Sequence, residues 1–404
     1  MVNVGPLAGG IEEKIIMFEQ MQLFAEEKAF TNFALVNPQT DISRLNLNWQ
    51  ETDLPERERT KHVHRLHPYL GKYVPQLVEI FLRKYARERV VDPFCGSGTT
   101  LVEASVLGLN GYGADISEFN CLLSQVKTTS YAVDRLELVL TDAYCAAEAM
   151  LETNSSEVEF VSKYLTNWYS EKSIKDLLAY RNQIGRFDFA EVMKIILARS
   201  ARSARLAAHY DLDFPEKPMT QPYYCRKHKR ICVPTEQALH FLRRYTLDTV
   251  KRIKAYSALR KENSIITVEC GDSRQIEFPE CDMVMTSPPY VGLIDYHEQH
   301  RYAYELLNIS DRSQEEIGPA SKGKNKAARK AYVEDMLAVF ENVCKKVIPG
   351  GTIVVVVHDK YKLYPGISEK LGLKTTAVLE RQVNRRTGRR AGNFYENIYI
   401  WEKE

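Results

Sequence analysis

The sequence predicts an α/β fold: a mostly parallel, doubly wound sheet that ends in an antiparallel hairpin and carries a large helical insertion. Three observations lead there. Arg89–Asp92 reads as a short buried strand, followed by a glycine turn at Gly96 and Gly98, a helix from about Thr99 to Leu107, and a second strand at Gly111–Asp115. Strand, turn, helix and strand in that order open a parallel sheet. Pro349-Gly350-Gly351 then turns into the apolar run Ile353 to Val357, which suits a strand buried on both faces. Residues 373–381 and 395–402 suit a closing hairpin with a basic loop between them.

The remaining elements follow in chain order. Residues 11–36 carry the spacing of an amphipathic helix (Ile15, Ile16, Phe18, Leu23, Phe24) and lead into a polar connection through Glu56-Arg57-Glu58-Arg59. Pro75 opens a helix that runs to Tyr85. Residues 131–262 keep a helical period (Leu136, Leu140, Phe189, Val192, Ile195, Ile196), interrupted by a proline loop at Pro215, Pro218 and Pro222. Strand signals resume at Ser264–Val268 and Asp282–Met285. These readings divide the chain into a helical arm at 1–66, a sheet-bearing body at 67–130 and 263–404, and a helical insertion at 131–262.

Composition narrows the class of function. With 404 residues, 44% of them hydrophobic and 27% charged, the chain can bury a sizeable core and is not a disordered protein. Its apolar runs fall far short of the roughly 20 residues a membrane span needs. Met1–Gly10 lacks the basic start and apolar stretch of a signal peptide, which predicts a cytoplasmic chain. Eight cysteines at irregular spacing predict reduced thiols, not a disulfide framework. A net charge of +2 means that any nucleic-acid partner must be met by local basic patches.

Two segments carry chemistry. In Val91-Asp92-Pro93-Phe94-Cys95-Gly96-Ser97-Gly98-Thr99-Thr100, the two glycines allow a sharp turn and close approach of backbone to a ligand. Asp115 closes the next strand, where a carboxylate can accept both hydroxyls of a ribose; a dinucleotide fold would show the same pattern. No Lys follows Gly98, which argues against a P-loop. In Met283-Val284-Met285-Thr286-Ser287-Pro288-Pro289-Tyr290, two prolines remove backbone donors and leave carbonyl acceptors, beside an aromatic face on which a base can stack. Read alone, this second segment fits a polyproline fragment or a loop staple equally well.

Together, Asp-Pro-Phe-Cys-Gly-Ser-Gly-Thr-Thr and the later Thr-Ser-Pro-Pro-Tyr resemble the S-adenosylmethionine-dependent amino methyltransferases of DNA, which have a Rossmann-like fold. The likeness extends to His67-Pro68-Tyr69-Leu70-Gly71-Lys72-Tyr73 and to Cys270-Gly271-Asp272-Ser273-Arg274, and so covers residues 65–127 and 264–402. It implies that His67, Pro68, Asp92, Phe94, Gly96, Gly98 and Thr99 shape the pocket around the methionine part of S-adenosylmethionine. By the same likeness Asp115 holds the ribose, Ile116 lies on the adenine and Asp272 takes the adenine amine. Ser287 and the carbonyl of Pro288, in the loop that Pro289 stiffens, would accept hydrogen bonds from the target amine of a flipped nucleotide, with Tyr290 stacked on the base. Serine before Pro-Pro-Tyr resembles the N4-cytosine enzymes more than the N6-adenine ones. A restriction endonuclease partner is implied in the same way. The alternatives are an N6-adenine enzyme, an RNA amino methyltransferase and a catalytically silent DNA-binding subunit. A cytosine-C5 enzyme needs a Pro-Cys nucleophile, and the chain has no such pair; Glu341-Asn342-Val343, similar to another C5 element, sits in a helix-like run.

The expected partner is double-stranded DNA. From Gln221 to Glu262 there are 11 Lys or Arg against 3 Asp or Glu, with Arg226, Lys227, Lys229, Arg230, Arg243 and Arg244 interleaved with tyrosines. That pattern suits phosphate contact, and it makes the insertion the expected target-recognition region. Basic loops at Lys322–Lys330 and at 381–390, the latter with Arg385, Arg386 and Arg389, flank the expected cleft. Cys225, His228 and Cys232 are spaced as zinc ligands with His209 or His240 as a fourth, but match no standard finger, and the reading is that no metal is bound. His62 and His64 read as polar contacts. His297 and His300 read as contacts to DNA or cofactor, or as helix-start residues.

Overall fold

The computed structural model describes residues 31–153, 162–213, 215–383 and 394–404. Its strands are β1 (Arg89–Asp92), β2 (Asn110–Asp115), β3 (Tyr223–Cys225), β4 (Arg230–Cys232), β5 (Ile266–Cys270), β6 (Cys281–Thr286), β7 (Val347–Val357), β8 (Lys374–Val383) and β9 (Phe394–Glu402). Seven of them form one sheet in the order β5-β2-β1-β6-β7-β9-β8. The pairs β1–β2, β1–β6, β2–β5 and β6–β7 are parallel, and β9 runs antiparallel between β7 and β8. The expected class is therefore the observed one: a mostly parallel, Rossmann-like sheet with a C-terminal antiparallel hairpin. Chain order reverses at β1, which leaves a crevice beyond the carboxyl ends of β1 and β6.

The longer helices are α1 (Pro75–Tyr85), α2 (Thr99–Leu107), α3 (Glu118–Thr128), α4 (Val133–Glu152), α5 (Glu171–Arg181), α6 (Ala190–Ala204), α7 (Leu239–Ser257) and α8 (Lys326–Cys344). The valine run of β7 shows why the sheet needs two layers of cover. Ile353, Val355 and Val357 face a core with Tyr332, Met336 and Phe340 of α8. Val354 and Val356 face the opposite core with Leu77, Ile80 and Phe81 of α1. Asp282 ties β6 to the approach of β1: its carboxylate accepts the backbone N–H groups of Arg87, Glu88 and Arg89 at 2.7, 2.8 and 2.7 Å. Three donors that would otherwise lack a strand partner are thereby satisfied.

Several boundaries differ from the sequence reading. The insertion is not a separate body. Its helices bury Leu136, Leu140, Val192, Ile195, Ile196, Leu242 and Ile253 in one core with Phe119, Leu123 and Val126 of α3 and with Val63 and Leu66 of the arm. The arm also sends Val36 and Leu47 into the core over α1, so the division at residue 66 has no counterpart in packing. The β3–β4 hairpin follows the expected proline loop, in a stretch read as helical, since strands of three residues are too short to show a period. The amphipathic helix expected at 11–36 falls outside the described residues up to 30, and Phe33–Leu35 is a 3₁₀ turn capped by Asn32. The Lys322–Lys330 stretch, expected as a basic loop, starts α8 at Lys326, with the Asn325 side chain accepting from Ala328 N. No described helix is long and apolar enough to cross a membrane.

Candidate active site

The turn after β1 is shaped by its glycines. Gly98 precedes α2 at φ 74°, and a Cβ there would lie 2.8 Å from Ser124 Oγ and 3.2 Å from Ser124 Cα, so no larger residue fits. Gly96, at φ 49°, sits beneath the Tyr69 hydroxyl, and its N–H donates to Asp115 Oδ2 at 2.9 Å. The turn therefore joins the ends of β1 and β2 through backbone, leaving open space above it.

That space is a cleft of about 880 Å³ measured out to its open mouth. Phe94, Gly96, Ser97 and Thr99 line it from the β1 turn, Asp115 and Ile116 from the end of β2, Asp272 from beyond β5, and Ser287 and Pro289 from beyond β6. Four strand ends thus bring together residues far apart in the chain. The buried oxygens Ser97 Oγ, Thr99 Oγ1, Asn120 Oδ1 and Ser287 Oγ have no hydrogen-bond partner, and all four residues line this cleft. Unsatisfied buried oxygens cost free energy, and their convergence marks a place built for a polar ligand.

Electrostatics distinguish the three aspartates. Asp115 lines the cleft; burial pushes its carboxyl up to about 6, against hydrogen bonds from Ser117 N, Asn120 Nδ2 and Gly96 N. Asp272 feels some burial, but the Arg274 guanidinium holds it below the usual carboxylate range, and Arg274 also pairs with Asp335. Asp92 is only 1% exposed and does not line the cleft. Its oxygens accept from Thr100 and Thr286 hydroxyls at 2.6 and 2.7 Å and from Phe94 N at 3.1 Å, so it braces the turn from below, with its carboxyl raised by burial.

The segment upstream of β1 does reach the cleft, but through other residues than those expected. His67 is fully buried, with Nδ1 against the Pro68 carbonyl at 2.7 Å and Nε2 against the Tyr302 hydroxyl at 3.1 Å. Burial holds its pKa well below the usual value, and neither His67 nor Pro68 lines the cleft. Tyr69, Lys72 and Tyr73 line it instead, with Asn120, Tyr296 and Glu316. The His67 ring packs against Phe119, Tyr302 and His300. His300 is buried in that cluster, between the short helices Tyr296–Gln299 and Arg301–Leu307, and His297, in the first of them, pairs with Glu316; neither side chain caps a helix start.

In the Ser287–Tyr290 loop, Ser287 and Pro289 reach the cleft while Pro288 and Tyr290 lie behind it. Tyr332 Oη donates to the Pro289 carbonyl at 2.8 Å. Tyr290 is 9% exposed; its hydroxyl donates to Glu396 at 2.8 Å, and Arg381 holds the other Glu396 oxygen at 3.0 Å. The Tyr290 ring lies beside Phe394 and His358, with ring centres 6.3 and 6.4 Å away. With the Tyr290 hydroxyl committed to Glu396, Ser287 Oγ is left without a well-formed bond.

Comparison with known proteins shows the family. A family model described as DNA methylase, for the N6 and N4 enzymes, matches residues 17–126. The type II methyltransferase M.MjaII of Methanocaldococcus jannaschii is 35% identical over 87% of this chain and 82% of its own length. The chain belongs to the N6/N4 DNA methyltransferase family. A second type II methyltransferase, M.MvaI of Kocuria varians, is 26% identical over 40% of this chain and 38% of its own. As a DNA methyltransferase the protein uses S-adenosylmethionine as its cofactor and DNA as its substrate.

The basic residues of this methyltransferase fall into two groups. Arg226, Lys227, Lys229 and Arg230 are exposed around the β3–β4 turn, and Arg243 and Arg244 are exposed on α7. Arg385, Arg386 and Arg389 lie outside the described residues.

Proposed function

We propose that the enzyme methylates N4 of a cytosine flipped out of duplex DNA, as the modification partner of a restriction endonuclease. The observation that carries this is Ser287 Oγ: a buried oxygen with no well-formed hydrogen bond, since the neighbouring Tyr290 hydroxyl donates to Glu396, in a residue of the cleft wall at the position before Pro-Pro-Tyr. The type II description of both relatives supports the restriction setting. Adenine N6 is the second reading, because the same acceptors suit either amine.

Phe94, Gly96, Thr99, Asp115, Ile116 and Asp272 would hold the cofactor, with Asp115 accepting from the ribose hydroxyls. Asp272 would meet the adenine amine only by sharing its carboxylate with Arg274. When bound, S-adenosylmethionine supplies an electrophilic methyl group on a positively charged sulfur. The chain's task is to prepare the amine. Its lone pair is delocalised into the base ring; Ser287 Oγ at the cleft wall, with the carbonyl of Pro288, whose ring lies behind that wall, would draw the nitrogen toward tetrahedral geometry and stabilise the charge it gains. Tyr332 below Pro289 and the Tyr290–Glu396–Arg381 chain hold the loop in place, so those acceptors need little reorganisation. In this arrangement Tyr290 acts as a brace.

Incubation with labelled S-adenosylmethionine and mixed-sequence duplex DNA, followed by nucleoside mass spectrometry, tests the reading. N4-methylcytosine is the expected product. N6-methyladenine would overturn the base and keep the acceptor mechanism; label in RNA alone would overturn the substrate.

The exposed β3–β4 hairpin is proposed to meet DNA phosphates. Replacing Arg226, Lys227, Lys229 and Arg230 by glutamine is expected to lower duplex affinity and to reduce the slope of log affinity against log salt by about 0.9 for each phosphate that is no longer neutralised. Fluorescence anisotropy across a salt series reads this, and an unaltered slope removes the hairpin from the interface.

A further inference from the structure

We propose that His209, Cys225, His228 and Cys232 form a structural zinc site that holds the basic hairpin in shape. Their ligand atoms all lie within 4.8 Å of one another. A zinc tetrahedron with bonds of about 2.3 Å to sulfur and 2.0 Å to nitrogen has edges of roughly 3.3 to 3.8 Å. His228 Nδ1 and Cys232 Sγ already stand 3.4 Å apart, so only a modest closure of the others is needed. Both thiols are buried and free of disulfides, and His209 Nδ1 is buried with no hydrogen-bond partner. Two soft thiolates with two imidazoles in a tetrahedral arrangement suit zinc above the harder divalent ions.

The hairpin has little else to hold it. Its hydrophobic cluster consists of Ala208, Tyr223 and the two cysteines, with Met219 at the edge. Tyr224, Ile231 and Val233 face solvent at 59, 64 and 64% exposure. Strands of three residues with so small a core are marginal in water, and small scaffolds commonly rely on a metal or a disulfide. The turn is arranged for chelation: Lys229 N–H donates to the Cys225 carbonyl at 2.7 Å, and Lys229 sits at φ 53°, which brings His228 back over the two thiols. A second group, His62, His64 and Glu103, also converges. There Glu103 already binds Lys61 at 2.8 Å and His64 at 2.7 Å, so an ammonium occupies the place of a cation.

Charge gives the site its use. One zinc ion and two thiolates sum to zero, so Arg226, Lys227, Lys229 and Arg230, which lie between the ligands in sequence, keep their full positive charge while the backbone that carries them is fixed. A rigid array loses less conformational entropy on meeting a phosphate backbone than a loose loop does. This last step rests on the proposed DNA contact of the hairpin; the metal site itself does not.

The test uses the full chain without an affinity tag, purified under reducing conditions and without chelator. Metal analysis is expected to give about one zinc per chain, and cobalt(II) replacement to give thiolate charge-transfer and tetrahedral ligand-field absorption. Cys225→Ser and Cys232→Ser should each remove the metal. Chelator treatment of the native chain should open the Arg226–Arg230 turn to trypsin and weaken duplex binding more than about tenfold, with S-adenosylmethionine affinity unaltered. Zinc far below one per chain together with no cobalt absorption on reconstitution would overturn the proposal, as would a Cys225–Cys232 disulfide in the native protein. Because the cobalt spectrum is read on the unaltered chain, misfolding of a variant does not obscure the result. Metal content is also independent of which base is methylated.

Discussion

Ser287→Ala is expected to slow methyl transfer by about 10²–10³-fold while leaving S-adenosylmethionine affinity within about twofold. The change removes one of two acceptors placed where positive charge develops on the target nitrogen, and that interaction strengthens only as the transition state forms. Its structural cost should be small, since Ser287 Oγ makes no well-formed bond within the protein. Single-turnover rates on duplex DNA, with cofactor affinity from calorimetry, separate the two effects. A rate within about threefold of the native enzyme would show that Ser287 is not an acceptor for the amine.

Asp115→Asn is expected to weaken S-adenosylmethionine binding by about 10- to 100-fold and to abolish its dependence on pH. Burial pushes the Asp115 carboxyl up to about 6, so the native protein carries it partly protonated in mildly acidic solution. The ionised form is acceptor-only and is the form suited to two ribose hydroxyls. Native affinity should therefore be nearly flat above about pH 7 and weaken as pH falls through 6, by up to about tenfold per unit. Calorimetric titrations across this range check the sign. Affinity that rises toward acid, or an asparagine variant that keeps the native pH profile, would take the ribose role away from Asp115.

Much of the architecture was legible because local rules and the global fold agree. The limits of β1, α1 and α2 follow from a strand of buried residues, a proline at a helix start and glycines on either side of α2. The burial of Ile353 to Val357 on both faces was readable from an unbroken apolar run, since a strand covered on both faces has no polar face to show. The hairpin pairing of β8 with β9 fell within a residue or two of expectation. Helical periodicity in 131–262 was equally clear, but that signal reports which face of each helix is apolar and not what it packs against. The core shared by α3, α4, α6 and α7 was for that reason invisible.

By itself, the sequence determined the class of sheet, the glycine turn, the order of the motifs and their likeness to the DNA amino methyltransferases, because each depends on a few adjacent residues. Tertiary structure alone decided which side chains reach the cleft. Asp92 and His67 carry the chemistry of ligand residues, and their polar atoms bond within the protein, to Thr100 and Thr286 for the one and to Tyr302 for the other. Tyr69 and Lys72, which belong to the same motif stretch but were not singled out within it, and Asn120, to which the sequence assigned no role, line the space. His209 meets Cys225, His228 and Cys232 only because α6 ends beside the hairpin, a contact that spacing along the chain does not specify. Motifs record what a residue is able to bind; burial and the neighbours that compete for its polar atoms settle what it does.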